Sequence, residues 1–167
     1  SATFSAQAHF SSAVFSAQAN FFSAAFSGPS KFVKTNFKAT VSFNDAVFEA
    51  PCNLREAKFE KFYPDLEGTL LHSKTNVTAE KAYWPPAQIY HSDKKALSSC
   101  AHLRQNMASQ GLNEAAHFFF RREMNHKARS SQFWERPFYA IYRFSEYGYG
   151  VWQPFIAIVF LVLAGAL

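Results

Sequence analysis

The sequence predicts a β solenoid, followed by an α-helical hairpin and the start of a transmembrane helix. Three features of the 167-residue chain support this prediction: a regular spacing of phenylalanine in the first part, two amphipathic segments with helix-capping residues in the middle, and an apolar run at the end. The composition favours a folded chain, because 49% of the residues are hydrophobic and only 17% are charged. The unusual component is phenylalanine, with 20 residues.

The first predicted element is a ladder of eleven apolar residues, ten of which are phenylalanine. Their spacing alternates between six and five residues without a break, so the pattern repeats every eleven residues. A small or slim side chain precedes each ladder residue by two positions. The ladder consists of Phe4, Phe10, Phe15, Phe21, Phe26, Phe32, Phe37, Phe43, Phe48, Leu54 and Phe59, and the preceding residues are Ala2, Ala8, Ala13, Ala19, Ala24, Ser30, Thr35, Val41, Ala46, Cys52 and Ala57.

Two simpler structures do not fit this spacing. On an α-helix, steps of five and six residues would place alternate ladder residues about 120° apart, and Pro29 and Pro51 would interrupt the helix. In one flat strand, a step of five residues would turn successive phenylalanines to opposite faces. A chain that repeatedly makes a short extended stretch and turns a corner would point every ladder residue inward, with coils about 4.8 Å apart. The spacing therefore predicts a solenoid core.

Triplets within the ladder resemble the signature of the pentapeptide-repeat family, which is a small residue, any residue, and then Phe or Leu. Examples are Ala19-Asn20-Phe21, Thr35-Asn36-Phe37 and Cys52-Asn53-Leu54. The alternating spacing is similar to a Phe-rich variant of that family. The resemblance implies a right-handed quadrilateral β-helix with four faces per coil, so that two eleven-residue repeats, or 22 residues, make one coil. The predicted columns are Phe4 with Phe26 and Phe48, and Phe15 with Phe37 and Phe59.

The resemblance covers residues 1–62, and a weaker form of the pattern continues beyond an irregular step at Tyr63-Pro64. We assign residues 1–82 to the β-helix on this basis. The ladder residues of the weaker part are Leu66, Leu71 and Val77, with Thr69 and Thr75 two positions before the last pair.

The charge of the repeats argues against two functions. Some pentapeptide-repeat proteins imitate DNA with an acidic surface and so bind type II topoisomerases, but residues 1–62 carry six basic and four acidic side chains, a net charge of +2. Nucleic-acid binding would require clustered basic residues with exposed aromatic residues, and here the aromatic residues are assigned to the core. We therefore expect no nucleic-acid partner.

A linker at residues 83–93 contains Pro85 and Pro86 and separates the repeats from a helical hairpin at residues 94–130. Ser92 or Asp93 is predicted to cap the first helix, and Gly111 to end it. The predicted inner faces are Leu97, Cys100, Ala101, Arg104, Met107 and Ala108 in the first helix, and Ala116, Phe119, Phe120 and Met124 in the second. The aromatic run at 116–124, followed by Tyr147-Gly148 and an apolar segment, resembles membrane-associated bacterial pentapeptide-repeat proteins.

The end of the chain predicts a membrane association. We assign residues 131–152 to a basic, aromatic juxtamembrane segment and residues 153–167 to a truncated transmembrane helix. The apolar run is shorter than the roughly 20 residues of a complete span, so a core helix is the alternative. The residues predicted to contact the membrane surface are Arg121, Arg122, Lys127, Arg129, Arg136, Arg143 and Trp152.

The sequence contains no recognisable catalytic, metal-binding or cofactor-binding motif, so we expect no enzyme and no cofactor. Cys52 and Cys100 form no disulfide framework, and Cys52 occupies a small-residue position of the core.

We expect a non-enzymatic, membrane-tethered scaffold or protein-interaction module, at the inner membrane of a bacterium with its repeats in the cytoplasm. Its expected partners are the lipid bilayer and an unidentified protein, and the sequence leaves homo-oligomerisation open. The alternative is a regulatory region of a small ion channel or transporter whose pore lies beyond residue 167.

Overall fold

The computed structural model describes residues 2–86, 93–132, 134–135 and 138–139. These residues form twelve short strands, one 3-10 helix and two α-helices. The strands are β1 (Thr3–Phe4), β2 (Ala8–His9), β3 (Val14–Phe15), β4 (Ala19–Asn20), β5 (Ala25–Phe26), β6 (Ser30–Lys31), β7 (Asn36–Phe37), β8 (Val41–Ser42), β9 (Val47–Phe48), β10 (Cys52–Leu54), β11 (Lys58–Phe59) and β12 (Asn76–Val77). The 3-10 helix is Lys81–Tyr83, α1 is Asp93–Ser109 and α2 is Asn113–Ser130.

The strands stack as a parallel β solenoid of about three turns. In the described part of the chain they form four parallel sheets, ordered β1-β5-β9, β12-β10-β6-β2, β11-β7-β3 and β4-β8. Thr3 pairs with Ala25 and Ala25 pairs with Val47, so each coil has 22 residues in this region. The predicted 22-residue coil with parallel strands is therefore confirmed.

The ladder residues form columns inside the solenoid. Phe26 lies between Phe4 and Phe48 with ring centroids 4.7 and 4.6 Å away, and Phe37 lies 5.1 Å from both Phe15 and Phe59. The rings of neighbouring faces meet edge-on or tilted, with centroids 5.8 to 6.3 Å apart. Seven ladder residues, Phe26, Phe32, Phe37, Phe43, Phe48, Leu54 and Phe59, are buried, and Phe4, Phe10, Phe15 and Phe21 are half-buried. Burial of each phenylalanine contributes roughly 1.5–3 kcal/mol.

Two kinds of corner explain why steps of five and six residues alternate. At each five-residue step the amide of the small residue donates to the carbonyl of the preceding ladder residue, as Ala13 does to Phe10 at 3.1 Å, which closes a tight β-turn. At the six-residue steps the chain turns through wider bends. The third residue of each tight turn has a positive φ of 51–60°, and these residues are Ser12, Ser23, Lys34, Asp45 and Glu56.

The third coil contains one extra residue. Ser42 bridges to Asp65 and Leu54 pairs with Val77, so the register is 23 residues there. The register change falls between Phe59 and Asp65, where the sequence predicted an irregular step at Tyr63-Pro64. Stacking continues after it through the pairing of β12 with β10 and the bridges from Ser42 to Asp65 and from Val47 to Leu70. Leu66, Thr69, Thr75 and Val77 are buried in this part.

Helix α1 covers the C-terminal end of the solenoid with a face different from the predicted one. Its buried residues are Ala96, Ser99, Cys100, Leu103 and Met107. The prediction was correct for Cys100 and Met107 and wrong for Leu97, Ala101, Arg104 and Ala108, which are half-buried or exposed. The physical reason is that the solenoid end presents backbone carbonyls as well as apolar side chains. The buried face of α1 therefore includes the hydroxyl of Ser99, which donates to the carbonyl of Pro64.

Helix α2 buries Phe119, Arg122 and His126. Phe119 was predicted to face inward, whereas the predicted inner residues Ala116, Phe120 and Met124 are only half-buried. The shift follows from Trp84, which stacks on Phe59 with centroids 4.9 Å apart and meets Phe119 edge-on at 5.0 Å. Trp84 thus completes one column of the solenoid and contacts α2.

Gly111 ends α1, as its position in the sequence predicted. Its φ is +74°, and its amide donates to the carbonyl of Ala108 at 3.0 Å while the amide of Leu112 donates to Met107 at 3.0 Å. This pair of bonds is a Schellman motif, which places glycine in the left-handed conformation after the helix.

Within the described residues, no helix is both long enough and apolar enough to cross a bilayer. The predicted transmembrane segment at 153–167 lies outside those residues, as does most of the predicted juxtamembrane segment at 131–152. The chain divides into two compact units, Ser1–His126 and Lys127–Leu167. The solenoid, α1 and most of α2 belong to the first.

Candidate functional site

The structure places the predicted membrane-surface residues in different environments. Arg121, Lys127 and Arg129 lie on α2 with exposed side chains, whereas Arg122 on the same helix is buried. The other three, Arg136, Arg143 and Trp152, lie outside the described residues.

Arg122 holds α2 against the end of the solenoid. Its guanidinium donates to the Tyr63 hydroxyl at 2.5 Å and to the Pro85 carbonyl at 2.8 Å, and it lies 4.8 Å from the centre of the Phe118 ring. The residue is only 8% exposed, and a buried charge is stable only when hydrogen bonds satisfy it. Its prediction as a surface contact was therefore wrong, because its side chain is used inside the protein.

The ionisable groups around Arg122 are structural. Burial raises the pKa of the Cys100 thiol to about 12, an effect that the nearby Arg122 charge partly opposes. Burial also raises the pKa of Tyr63 well above its usual value. In the solenoid, burial raises the pKa of Cys52 to about 12, an effect that the neighbouring Ser30 hydroxyl partly opposes. Both thiols are protonated at neutral pH, and a protonated thiol is a poor nucleophile.

Polar side chains of α1 close the backbone edge of the last coil. The Ser99 hydroxyl donates to Pro64, the Asn106 amide donates to the His72 carbonyl at 3.2 Å, and the Gln110 amide donates to the Thr75 carbonyl at 2.8 Å. These bonds attach α1 to backbone carbonyls at the end of the solenoid, and the His72 carbonyl also accepts from Thr75.

A groove of about 480 Å³ lies where the outer face of β4 and β8 meets the start of α1. Successive strand residues point to opposite faces, so Ala19 and Val41 face the core while Asn20 and Ser42 face outward. The groove is lined by Gln18, Asn20, Phe22, Thr40, Val41, Ser42, Phe62, Tyr63, Asp65, Lys95 and Ala96.

A column of three polar side chains forms one part of this groove: Asn20, Ser42 and Asp65. Each accepts a hydrogen bond from a backbone amide two residues later, at 3.0 Å for Asn20, 3.3 Å for Ser42 and 3.3 Å for Asp65. The turn that follows each strand therefore fixes the orientation of the side chain. The groove has a preorganised row of amide, hydroxyl and carboxylate groups.

The groove also contains aromatic side chains and an ion pair. Phe22 is 53% exposed, and Phe62 is half-buried. The ammonium of Lys95 lies 2.7 Å from a carboxylate oxygen of Asp65 and so joins α1 to the third coil. Asp65 is the single carboxylate among the described lining residues, and they include neither His nor Cys. The groove therefore combines apolar surface, oriented hydrogen-bonding groups and one ion pair.

The sequence pattern does not reveal this groove, because Asn, Gln, Ser and Thr are common on the solvated surface of a repeat protein. One feature of the sequence does point to the groove, namely the phenylalanines that do not belong to the ladder. Residues 1–62 contain twelve phenylalanines, of which ten belong to the ladder, and the remaining two are Phe22 and Phe62. Both line the groove.

Comparison of the chain with protein-family models, curated proteins and solved structures found no match. Among the residues that the structure describes, no group of three His, Cys, Asp or Glu side chains could hold a metal ion.

Proposed function

We propose that this chain is a non-enzymatic protein-interaction module of the pentapeptide-repeat type, and that the groove containing Phe22 and Phe62 binds an extended peptide segment. The observation that carries the proposal is that the two phenylalanines of the repeats that leave the core both line one groove. An exposed phenylalanine beside fixed polar groups has the character of an interaction hot spot.

The groove matches the chemistry of a peptide. The oriented oxygen atoms of Asn20, Ser42 and Asp65 can accept hydrogen bonds from backbone amides or a basic side chain, and Phe22 offers an apolar surface for an aliphatic or aromatic side chain. Because ring columns and backbone ladders hold the coils rigidly, binding would cost little ordering of the groove itself.

Membership of the pentapeptide-repeat family is part of the proposal. It is supported by the small-residue–x–Phe triplets, the 22-residue register and the four parallel sheets. The tight turns after Phe10 and the equivalent ladder residues give the repeat its physical basis.

We also propose that the end of the chain tethers this module to the inner membrane of a bacterium. The support is the apolar run at 154–167, together with exposed Lys127 and Arg129 on α2. Phase separation of the 167-residue chain in a cloud-point detergent tests it: partition into the detergent phase supports a tether, and partition into the aqueous phase excludes it.

Selection from a random peptide library tests the groove. The immobilised 167-residue chain would be the target, and the Phe22→Ser variant would be used for counter-selection. We expect wild-type-selective peptides whose affinity falls about tenfold or more in the variant, since a lost hot spot costs about 2 kcal/mol or more.

Val14→Ser is the matched control, because Val14 is 56% exposed and lies on β3, in a different sheet. Peptides that lose affinity equally in both variants would place binding outside the groove. Failure to recover any peptide that distinguishes wild type from Phe22→Ser would reject the proposed site.

A further inference from the structure

The polar column of the groove has open hydrogen-bond donors as well as oxygen acceptors. The Oδ1 atom of Asn20 accepts from the Phe22 amide at 3.0 Å, and the Oγ atom of Ser42 accepts from the amide two residues later at 3.3 Å. A backbone N–H needs an acceptor, so the first bond turns the Asn20 oxygen toward the backbone and leaves its NH2 group for the groove. Among the described residues, neither this NH2 group nor the Ser42 O–H donates a hydrogen bond.

The third member of the column, Asp65, already uses both of its carboxylate oxygens. Oδ1 accepts from the Glu67 amide at 3.3 Å, and Oδ2 lies 2.7 Å from the ammonium of Lys95. A basic group of a ligand would therefore compete with Lys95 for this carboxylate. The rest of the strand wall brings no carboxylate to the groove, because residues 1–44 contain neither Asp nor Glu. The open hydrogen-bonding capacity of the groove thus fits an acceptor best.

The two donors have a spacing that suits one carboxylate. Asn20 and Ser42 are paired residues of the neighbouring strands β4 and β8, which lie about 4.8 Å apart. Hydrogen bonds to oxygen span about 2.7–3.0 Å, so a carboxylate between the two side chains can accept from both. Gln18 and Thr40, which precede this pair by two positions, add another amide and another hydroxyl to the lining.

We propose that the groove recognises an acidic side chain, Asp or Glu, of its peptide partner. The carboxylate binds across Asn20 and Ser42, and a neighbouring apolar side chain of the peptide contacts Phe22. Such recognition rests on the peptide binding proposed above and specifies the class of peptide. A carboxylate is favoured over a neutral carbonyl because a charged acceptor forms stronger hydrogen bonds. The net charge of +5 also favours the approach of an acidic partner.

Three amidated peptide libraries test the recognition of an acidic side chain. The random libraries are identical except for one fixed central residue, which is Glu, Gln or Lys, and the immobilised 167-residue chain is the target. We expect the Glu library to yield peptides that bind wild type and not Phe22→Ser. Their affinity should fall about tenfold or more when the central Glu is replaced by Gln. Equal affinity with Gln, or selective peptides from the Lys library alone, would overturn the proposal. Amidation removes the C-terminal carboxylate, so recognition that requires a free C-terminus would also overturn it.

The Asn20→Asp variant tests the donor directly. Aspartate keeps an oxygen for the Phe22 amide and replaces the NH2 group with a second, negatively charged oxygen. We expect the affinity for a Glu peptide to fall about tenfold or more, and the affinity for the matched Gln peptide to change much less. An unchanged affinity for the Glu peptide in the folded variant would overturn the proposal.

Asn53→Asp is the matched control. The Asn53 oxygen accepts from the Arg55 amide at 3.0 Å in the same kind of turn, and Asn53 lies on β10, in a different sheet and outside the groove lining. This variant has the same change of charge and should bind the Glu peptide like wild type. An equal loss of affinity in both variants would show a general charge effect and would count against a site at Asn20.

Failure of acidic recognition can be distinguished from failure of peptide binding. If no library yields a peptide that distinguishes wild type from Phe22→Ser, the peptide site is rejected and acidic recognition with it. If such peptides are recovered but respond neither to the central residue nor to Asn20→Asp, the groove binds peptides and only acidic recognition is wrong.

Discussion

Phe26 and Phe48 lie on successive coils with ring centroids 4.6 Å apart and ring planes within 1° of parallel. This separation matches the distance between neighbouring strands of a sheet. The rings therefore stack because the backbone ladders set their spacing, and the stack in turn fills the interior without any polar atom that needs a partner. Ring stacking and strand pairing support each other in this fold.

Replacing a central ring should destabilise the solenoid strongly. Phe26 stacks on both sides, so Phe26→Ala should lower the free energy of unfolding by about 3–5 kcal/mol through lost burial and a cavity. Phe26→Leu should lower the free energy of unfolding by less than Phe26→Ala, because leucine is accepted at the ladder position of Leu54. Urea denaturation of both variants measures the effect. Phe22→Ala, at a 53% exposed side chain, is the control, and an equal loss there would contradict the core assignment.

The left-handed turn residues predict opposite effects for two neighbouring serines. Ser12 has a φ of +60°, which costs a non-glycine residue roughly 1–2 kcal/mol, while Ser11 is outside this region. At either position, glycine makes the unfolded chain more flexible and so lowers the free energy of unfolding by about 0.5–1 kcal/mol. At Ser12 alone, glycine also removes the strain of the positive φ. Ser12→Gly should therefore be more stable than Ser11→Gly by about 1–2 kcal/mol in thermal denaturation. Equal stabilities would show that the turn carries no strain.

Gly28 is required by a close approach of two backbones. A Cβ atom at this position would lie 2.5 Å from the carbonyl oxygen of Ala6, which belongs to the backbone and cannot rotate away. Gly28→Ala should lower stability by about 1–3 kcal/mol. The control is Ala50→Gly, at the equivalent position one coil later. This variant should lose only about 0.5–1 kcal/mol of unfolding free energy. Chemical denaturation measures the unfolding free energy of both variants. If Gly28→Ala leaves this free energy unchanged, the two coils separate easily at this position.

The solenoid could be predicted from the sequence because it depends on a repeated local pattern. Two eleven-residue repeats fix the register of Phe4 on Phe26 before any long-range contact is known. The helix faces could not be predicted in the same way, because their partner is the unique end of the solenoid. The polar contacts of Ser99 and Arg122 depend on carbonyl groups at Pro64 and Pro85, which no periodicity reveals. The groove was missed since its polar residues are also ordinary surface residues.

Arg122 should be sensitive to a conservative change while its neighbour is not. Lysine cannot make the two hydrogen bonds from one planar group and lie over the Phe118 ring, so Arg122→Lys should cost about 1–3 kcal/mol of unfolding free energy. Arg121→Lys, at an exposed position on the same helix, should change stability by less than about 0.5 kcal/mol. Urea denaturation monitored by tryptophan fluorescence measures the unfolding free energy of both variants. If both variants behave alike, Arg122 does not fasten α2 to the solenoid.

The buried thiol of Cys52 predicts a loss of stability at alkaline pH. Its pKa is raised from 9.0 to about 12 by burial, so above pH 9 the unfolded thiol releases a proton that the folded thiol retains. Stability falls as pH rises whenever the unfolded state binds fewer protons, and one such group costs about 1.4 kcal/mol at pH 10 relative to pH 8. Cys52→Ala keeps a small residue at this core position and removes the group. Between pH 8 and 10 the free energy of unfolding of the variant should therefore fall by about 1.4 kcal/mol less than that of wild type, in urea denaturation under reducing conditions. Identical pH profiles would show that the thiol already ionises in the folded solenoid.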